Sequence, residues 1–265
     1  MGLPIRLGVL RALVKDISVS GASEKPLVVG GARELAAVLR RDLGRGAKPG
    51  AIRADDEPKG GAVYVYVLGH DPSEADEAAL KRARRARVPI VAVATGPLSD
   101  GVTIPYVLAT DVIRLRAGQG FPLEEIALVI AGRLGEEGAP LAARVPVLRR
   151  AVCDRLVASF ARKNAIIGAA VFIPGVDLPV LTLNEIRLIL RLEQAYGLAI
   201  DPRERLPELA ATLGVGFGLR AVARELLDLV PVAGWAVKGA VAYAGTRALG
   251  EATVRRLEVG APGGH

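Results

Sequence analysis

The sequence predicts an α/β unit followed by an all-α unit, and three observations predict it. Between residues 25 and 115, apolar runs such as LVVGG, AVYVYVLG and PIVAVATG alternate with segments of helical period, the pattern of parallel strands joined by crossover helices. After the GEEGAP stretch at 135–140 the strand-like runs stop and only helical periods remain. Near the C-terminus Ala236, Ala240, Ala244, Ala248 and Ala252 recur every four residues in a helical segment almost empty of charge. The chain therefore divides into a lead-in helix (1–21), a Rossmann-like sheet domain (22–138), a helical domain (139–259) and a tail (260–265) expected to be disordered.

The first segment, LPIRLGVLRALVKDI, carries Leu7, Leu10, Val14 and Ile17 on one face and reads as an amphipathic helix, not a cleavable signal. The first strand is LVVGG at 27–31. A helix over 32–43 follows, with Leu35, Val38 and Leu39 inward and Arg33, Glu34, Arg40 and Arg41 outward. Residues 47–61 read as a loop with one edge strand at 51–54, and 62–69 as a central strand rich in β-branched and aromatic residues. Asp71-Pro72-Ser73-Glu74 predicts a helix start with Asp71 as the N-cap and Pro72 in the first helical position. That helix is acidic at its beginning and ends in KRARRAR, complementing the macrodipole. A strand at 89–96, a last strand near Val107 and a helix over 122–134 complete the unit, with 135–140 as linker.

In the second half, Leu148, Val152, Leu156 and Phe160 form one stripe ringed by arginines. Residues 165–183 contain one charge, Asp177. Their length allows membrane insertion, while Pro174 and Pro179 favour a helix-turn-helix. The next helix sets a polar strip of Asn184, Arg187, Arg191 and Gln194 against Ile186, Ile189, Leu190 and Leu192, the pattern of a helix at a boundary with water. Asp201 followed by Pro202 marks another helix start, and Gly214 and Gly218 form a GxxxG pair. Pro231 opens the final helix, where Trp235 precedes an alanine ladder that lets two backbones approach closely. Two readings of this helix stand, a buried helix of a soluble domain and a membrane-embedded hairpin. Phe172, Pro174, Asp177, Pro231, Trp235 and the alanines at 236, 240, 244 and 248 are the residues expected to contact a membrane or another helix.

Composition narrows the partners. The net charge of +7 suits an anionic partner, and the basic residues are not interleaved with aromatics. The stacking platform of a single-strand binder is missing, so lipid or a membrane protein fits better than nucleic acid. Cys153 is the only cysteine, which excludes an intrachain disulfide or a cysteine-cluster metal site. His70 and His265 are the only histidines, so a histidine-based metal centre or triad has almost no material. No cofactor, metal or catalytic residue is expected. The strand ends at Gly30, Gly31, His70 and Thr95 form the crevice where an open α/β sheet binds ligands.

The segments NAIIGAAVFIPGVDLPVLTLNEIRLIL, LEQAYG and LVPVAGWAVKGAVAYAGTRALGEA, within residues 164–251, resemble the YcjF-like family, a bacterial domain of unknown function. Members are often linked to Era-like GTPase domains and lie at the inner membrane. The resemblance implies a protein on the cytoplasmic face of that membrane, or alternatively in the cytoplasm, with a GTPase as partner. The first half is similar to a degenerate GTPase domain: 62–96 resembles the strand-helix-strand leading to the guanine-reading loop, and IPYVLATDVI the later strand and loop. Two departures argue against GTP hydrolysis. VVGGAREL lacks the lysine and hydroxyl of a phosphate-binding loop, and Ala94-Thr95-Gly96-Pro97 replaces the expected Asn-Lys-x-Asp. The resulting expectation is a non-catalytic membrane-associated scaffold or regulatory partner. The alternatives are a small-molecule or nucleotide-binding protein or enzyme using the strand ends, and a soluble homo-oligomer built through the alanine ladder.

Overall fold

Apolar runs become strands here because each is short, β-branched and bounded by glycine or proline. The computed structural model describes residues 7–21, 23–55, 57–96, 98–99, 102–116, 118–170, 177–198 and 234–260. Two compact units emerge, Ser23–Arg155 and Met1–Ala22 with Leu156–His265.

The first unit is a parallel five-stranded sheet with helices. Its elements are β1 (Leu27–Gly31), α2 (Arg33–Leu43), β2 (Ile52–Ala54), β3 (Val63–Leu68), α3 (Glu74–Arg85), β4 (Ile90–Ala94), β5 (Val112–Arg114), α4 (Leu123–Leu134) and α5 (Gly138–Ala142). The strand order is β2-β1-β3-β4-β5, and every pairing is parallel. Connections leave β1 toward β2 on one side and β3 toward β4 on the other, so the topology reverses between β1 and β3. Parallel strands need both faces covered, and all six residues of β3 are buried. On one face Tyr64, Tyr66 and Leu68 pack with Ala79, Leu80 and Ala83 of α3 and with Val88, Ile90 and Ile104.

Four expectations for this unit are corrected. The last strand is β5 at Val112–Arg114, not near Val107: Pro105 has no N–H to donate, Tyr106 has φ +63°, and a 3-10 turn fills Ala109–Asp111. Val38 is exposed, since α2 buries Ala36, Leu39 and Leu43 and Val38 lies one residue off that stripe. The N-cap of α3 is Ser73, not Asp71. Residues 135–140 are no linker: all five residues of α5 are buried, and the units divide at Arg155 and Leu156, within a helix.

The second unit contains α1 (Leu7–Gly21), most of α6 (Arg149–Ala170), α7 (Asp177–Ala195) and α8 (Gly234–Gly260). The lead-in helix α1 belongs to it, with Val14 and Ile17 fully buried against Ile186, Ile189 and Leu190 of α7. The stripe Leu148, Val152, Leu156 and Phe160 is buried, the first in the 3-10 turn that leads into α6 and the rest in α6, with Lys163 5.0 Å over the Phe160 ring. The polar strip of α7 is largely turned inward: Arg191 and Gln194 are buried, as are Glu185 and Glu193, while Asn184 and Arg187 are half-buried. Its periodicity is real, but its partners are other polar groups of the chain. Gln194 Nε2 donates to the Ile17 carbonyl at 2.8 Å, and Arg191 donates to Gln194 Oε1 at 2.9 Å.

Helices α6 and α8 approach closely through small residues. A Cβ on Gly239 would lie 3.0 Å from the Ala165 carbonyl oxygen, and one on Gly168 3.1 Å from Ala242 Cβ. At this seam Asn164 Nδ2 donates to Thr246 Oγ1 at 2.9 Å, and Asn164 Oδ1 accepts from Asn184 Nδ2 at 2.9 Å. No helix among the described residues is long and apolar enough to cross a membrane. The helix start at Asp201 and Pro202 and the Gly214/Gly218 pair lie outside the described residues, as does the tail beyond Gly260.

Candidate functional site

The reversal between β1 and β3 opens a crevice at the carboxyl ends of these strands, where doubly wound sheets take their ligands. A cavity of about 310 Å³ occupies it, lined by Gly31, Tyr66, His70, Ser73, Asp76 and Arg82 among others. Two of the four expected crevice residues, Gly31 and His70, line it.

Gly31 has φ +98°, and a Cβ there would fall 2.1 Å from the Val67 carbonyl oxygen. The backbone can turn across β3 only with glycine at this point. A single residue, Ala32, then separates β1 from α2, and its N–H donates to that same Val67 carbonyl at 2.9 Å. Gly30 points elsewhere: its missing side chain makes room for the Tyr64 ring, whose hydroxyl would lie 2.4 Å from a Cβ. Thr95 does not line the cavity either. Both its N–H and its hydroxyl donate to the Leu68 carbonyl, at 2.8 and 3.0 Å.

The opposite wall is the first turns of α3. Ser73 caps the helix and forms a capping box with Asp76. The Asp76 carboxylate accepts from the Ser73 N–H at 2.8 Å, the Ser73 hydroxyl at 2.5 Å and the Tyr66 hydroxyl at 2.7 Å. Burial opposes its charge, but these bonds, led by that from the Ser73 hydroxyl, outweigh it and hold the carboxyl below its ordinary value of 3.8. Asp71 looks away from the helix. It accepts from the Ser99 hydroxyl at 2.5 Å and the Ser99 N–H at 2.9 Å, and these two bonds hold it below 3.8 as well. His70 is exposed, with Nδ1 2.6 Å from the Asp71 carbonyl oxygen. Since a carbonyl only accepts, Nδ1 is the donor in this contact.

Tyr66, Ser73 as cap, Asp76 and Arg82 are the crevice residues that sequence reasoning missed. One signal was available for Tyr66 and Asp76: a tyrosine in a buried strand needs a partner for its hydroxyl, and an aspartate in the first turn of the next helix supplies one. The crevice has room for a small polar molecule, but the carboxylate that lines it, Asp76, is already engaged. Among the described residues no group of histidine, cysteine and carboxylate side chains could hold a metal ion.

The residues expected to contact a membrane or another helix are distributed differently. Phe172, Pro174 and Pro231 lie outside the described residues. Asp177 begins α7 and Trp235 lies in the first turn of α8, with side chains outside what is described. Ala236, Ala240, Ala244 and Ala248 are exposed. The close approach of α8 within the chain uses the other face, Gly239, Ala242, Thr246 and Gly250. No family model matches the chain, and no curated protein matches it.

Proposed function

We propose that this chain is a non-catalytic scaffold or regulatory partner that associates with the cytoplasmic side of a membrane, and that a GTPase is the class of protein it serves. The observation that supports a non-catalytic role is the one-residue turn at Ala32. A phosphate-binding loop needs several consecutive free N–H groups between strand and helix, together with a lysine and a hydroxyl. Here the turn has one N–H, and it is bonded to Val67. The surrounding carboxylates and hydroxyls are paired with one another, which suits a stable platform better than a reacting centre. Titration of the full chain with GTP, GDP and ATP, run beside a phosphate-release assay, tests this. The expected result is neither micromolar binding nor turnover, and micromolar binding with turnover would overturn it.

A second reading is supported by the cavity itself. A void of about 310 Å³ beside Tyr66, His70 and Arg82 suits a small polar ligand. A thermal-shift screen of small metabolites separates the two, because a ligand of this crevice raises Tm in the wild type and not in a variant with the cavity filled by Ala75→Leu.

A further inference from the structure

Two helices of the sheet unit end in clusters of cations, and the clusters differ. At the end of α2, Arg41 and Arg45 both reach Asp42, at 3.6 and 2.9 Å. At the end of α3, Lys81, Arg84, Arg85 and Arg87 are all exposed, and none forms an ion pair among the described residues. The helix closes there with the Val88 N–H on the Ala83 carbonyl and the Arg87 N–H on the Arg84 carbonyl, both at 3.1 Å. This is the Schellman arrangement, which places the residue after the cap in the left-handed region and strongly favours glycine there. Arg87 occupies that position with φ +56°. A merely solvated helix end would be served better by glycine.

The core cluster that takes in Ala83 and Val88 at this end also takes in Ile104, and Val107 packs against it. Its neighbours Tyr106 and Leu108 are left outside, 39% and 57% exposed. Tyr106 has φ +63°, and among the described residues Arg87 and Tyr106 are the only non-glycine residues with positive φ. Unfavourable backbone conformations held by bulky residues concentrate where a surface has a task.

We propose that this rim docks on an anionic lipid bilayer, with Lys81, Arg84, Arg85 and Arg87 over the head groups and Tyr106 and Leu108 at the acyl boundary. The proposal rests on the membrane half of the function proposed above and names the surface and lipid class. An exposed aliphatic side chain beside cations gains from the acyl boundary and gains nothing from a phosphodiester backbone. A lone aromatic residue offers no succession of stacked bases, so the rim suits lipid better than nucleic acid.

Co-sedimentation of the full chain with vesicles of phosphatidylcholine, with and without phosphatidylglycerol, tests this. Binding is expected only with phosphatidylglycerol, falling with salt. Each cation removed weakens it about fivefold, and neutralising all four to glutamine weakens it on the order of several hundredfold. Leu108→Ser weakens it about tenfold, and Arg40→Gln/Arg41→Gln less than Arg84→Gln/Arg85→Gln. Arg87→Gly guards against misfolding as an explanation, since it should raise Tm while weakening binding. Equal binding to both vesicles, unaffected by the variants, would overturn this surface while leaving membrane association standing through another segment. Binding to neither vesicle would overturn both. RNA binding lost with the same cations, without vesicle binding, would overturn the lipid assignment.

Discussion

The cores of the two units are built on different terms. In β3 every residue from Val63 to Leu68 is buried, and the hydroxyl of Tyr66 reaches Asp76 in the first turn of α3. In α7 the buried set includes Thr182, Glu185, Arg191, Glu193 and Gln194. Glu193 meets Arg256 at 3.2 Å, Gln194 holds α1 through the Ile17 carbonyl, and Asn184, Asn164 and Thr246 form a chain across three helices. A sheet takes its register from the backbone ladder and the period-2 side-chain pattern. Packed helices have no ladder between them, so a few directional side-chain bonds select one arrangement among several that would bury similar apolar area. The comparison teaches that the sheet unit is most sensitive where backbone meets backbone, and the helical unit where buried polar groups meet.

Gly31→Ala should have the largest effect. Its Cβ would sit 2.1 Å from a main-chain oxygen at φ +98°, so overpacking and backbone strain together cost about 3–4 kcal/mol, read as a lower denaturant midpoint. Asn164→Leu should cost about 2–3 kcal/mol by leaving the Thr246 hydroxyl and the Asn184 amide unpartnered. Adding Thr246→Val should recover part of that loss. If the double variant is no better than the single, the seam is ordinary packing and the contrast between the cores fails. Ser73→Ala removes the cap of α3 and should cost about 1 kcal/mol, with amide exchange quickened in the first turn of that helix alone.

The smallest effect is that of acid. Asp71 and Asp76 bind protons more weakly in the folded chain than at their ordinary 3.8. Their stabilisation is complete above that value and is lost as pH falls through the lowered folded values. Tm should therefore be insensitive to these groups above about pH 5 and fall below about pH 4. Asp76→Asn should begin lower and fall less steeply. An unchanged acid slope in that variant would show that the bonds from Ser73 and Tyr66 contribute nothing to stability.

Much of the sheet unit was legible because a parallel strand writes itself as a short apolar run. The boundaries failed where two chemistries share one pattern. Asp71 and Ser73 are both cap residues by type, and only Ser99, distant in sequence, decides that Asp71 is engaged elsewhere. The α7 strip reads as solvent-facing because a helix with buried polar partners has the same period as one facing water. The alanines at 236, 240, 244 and 248 showed that small residues matter in α8, but Gly239 and Thr246 lie on the face that approaches α6. In the crevice, Gly31 and His70 were visible from the strand ends. Asp76 shows only when it is read together with Tyr66, ten residues earlier.

The membership of α1 in the helical unit also governs how the chain reaches its fold. The bond from Gln194 to the Ile17 carbonyl joins residues 177 apart, with the whole sheet unit between them. During synthesis Val14 and Ile17 emerge long before Ile186, Ile189 and Leu190 exist to cover them. The sheet unit, whose strands are consecutive, can fold first and act as a rigid spacer that shortens the loop still to be closed. Until that closure the apolar stripe of the first helix has no native cover, so the two ends of this contact mature at different times.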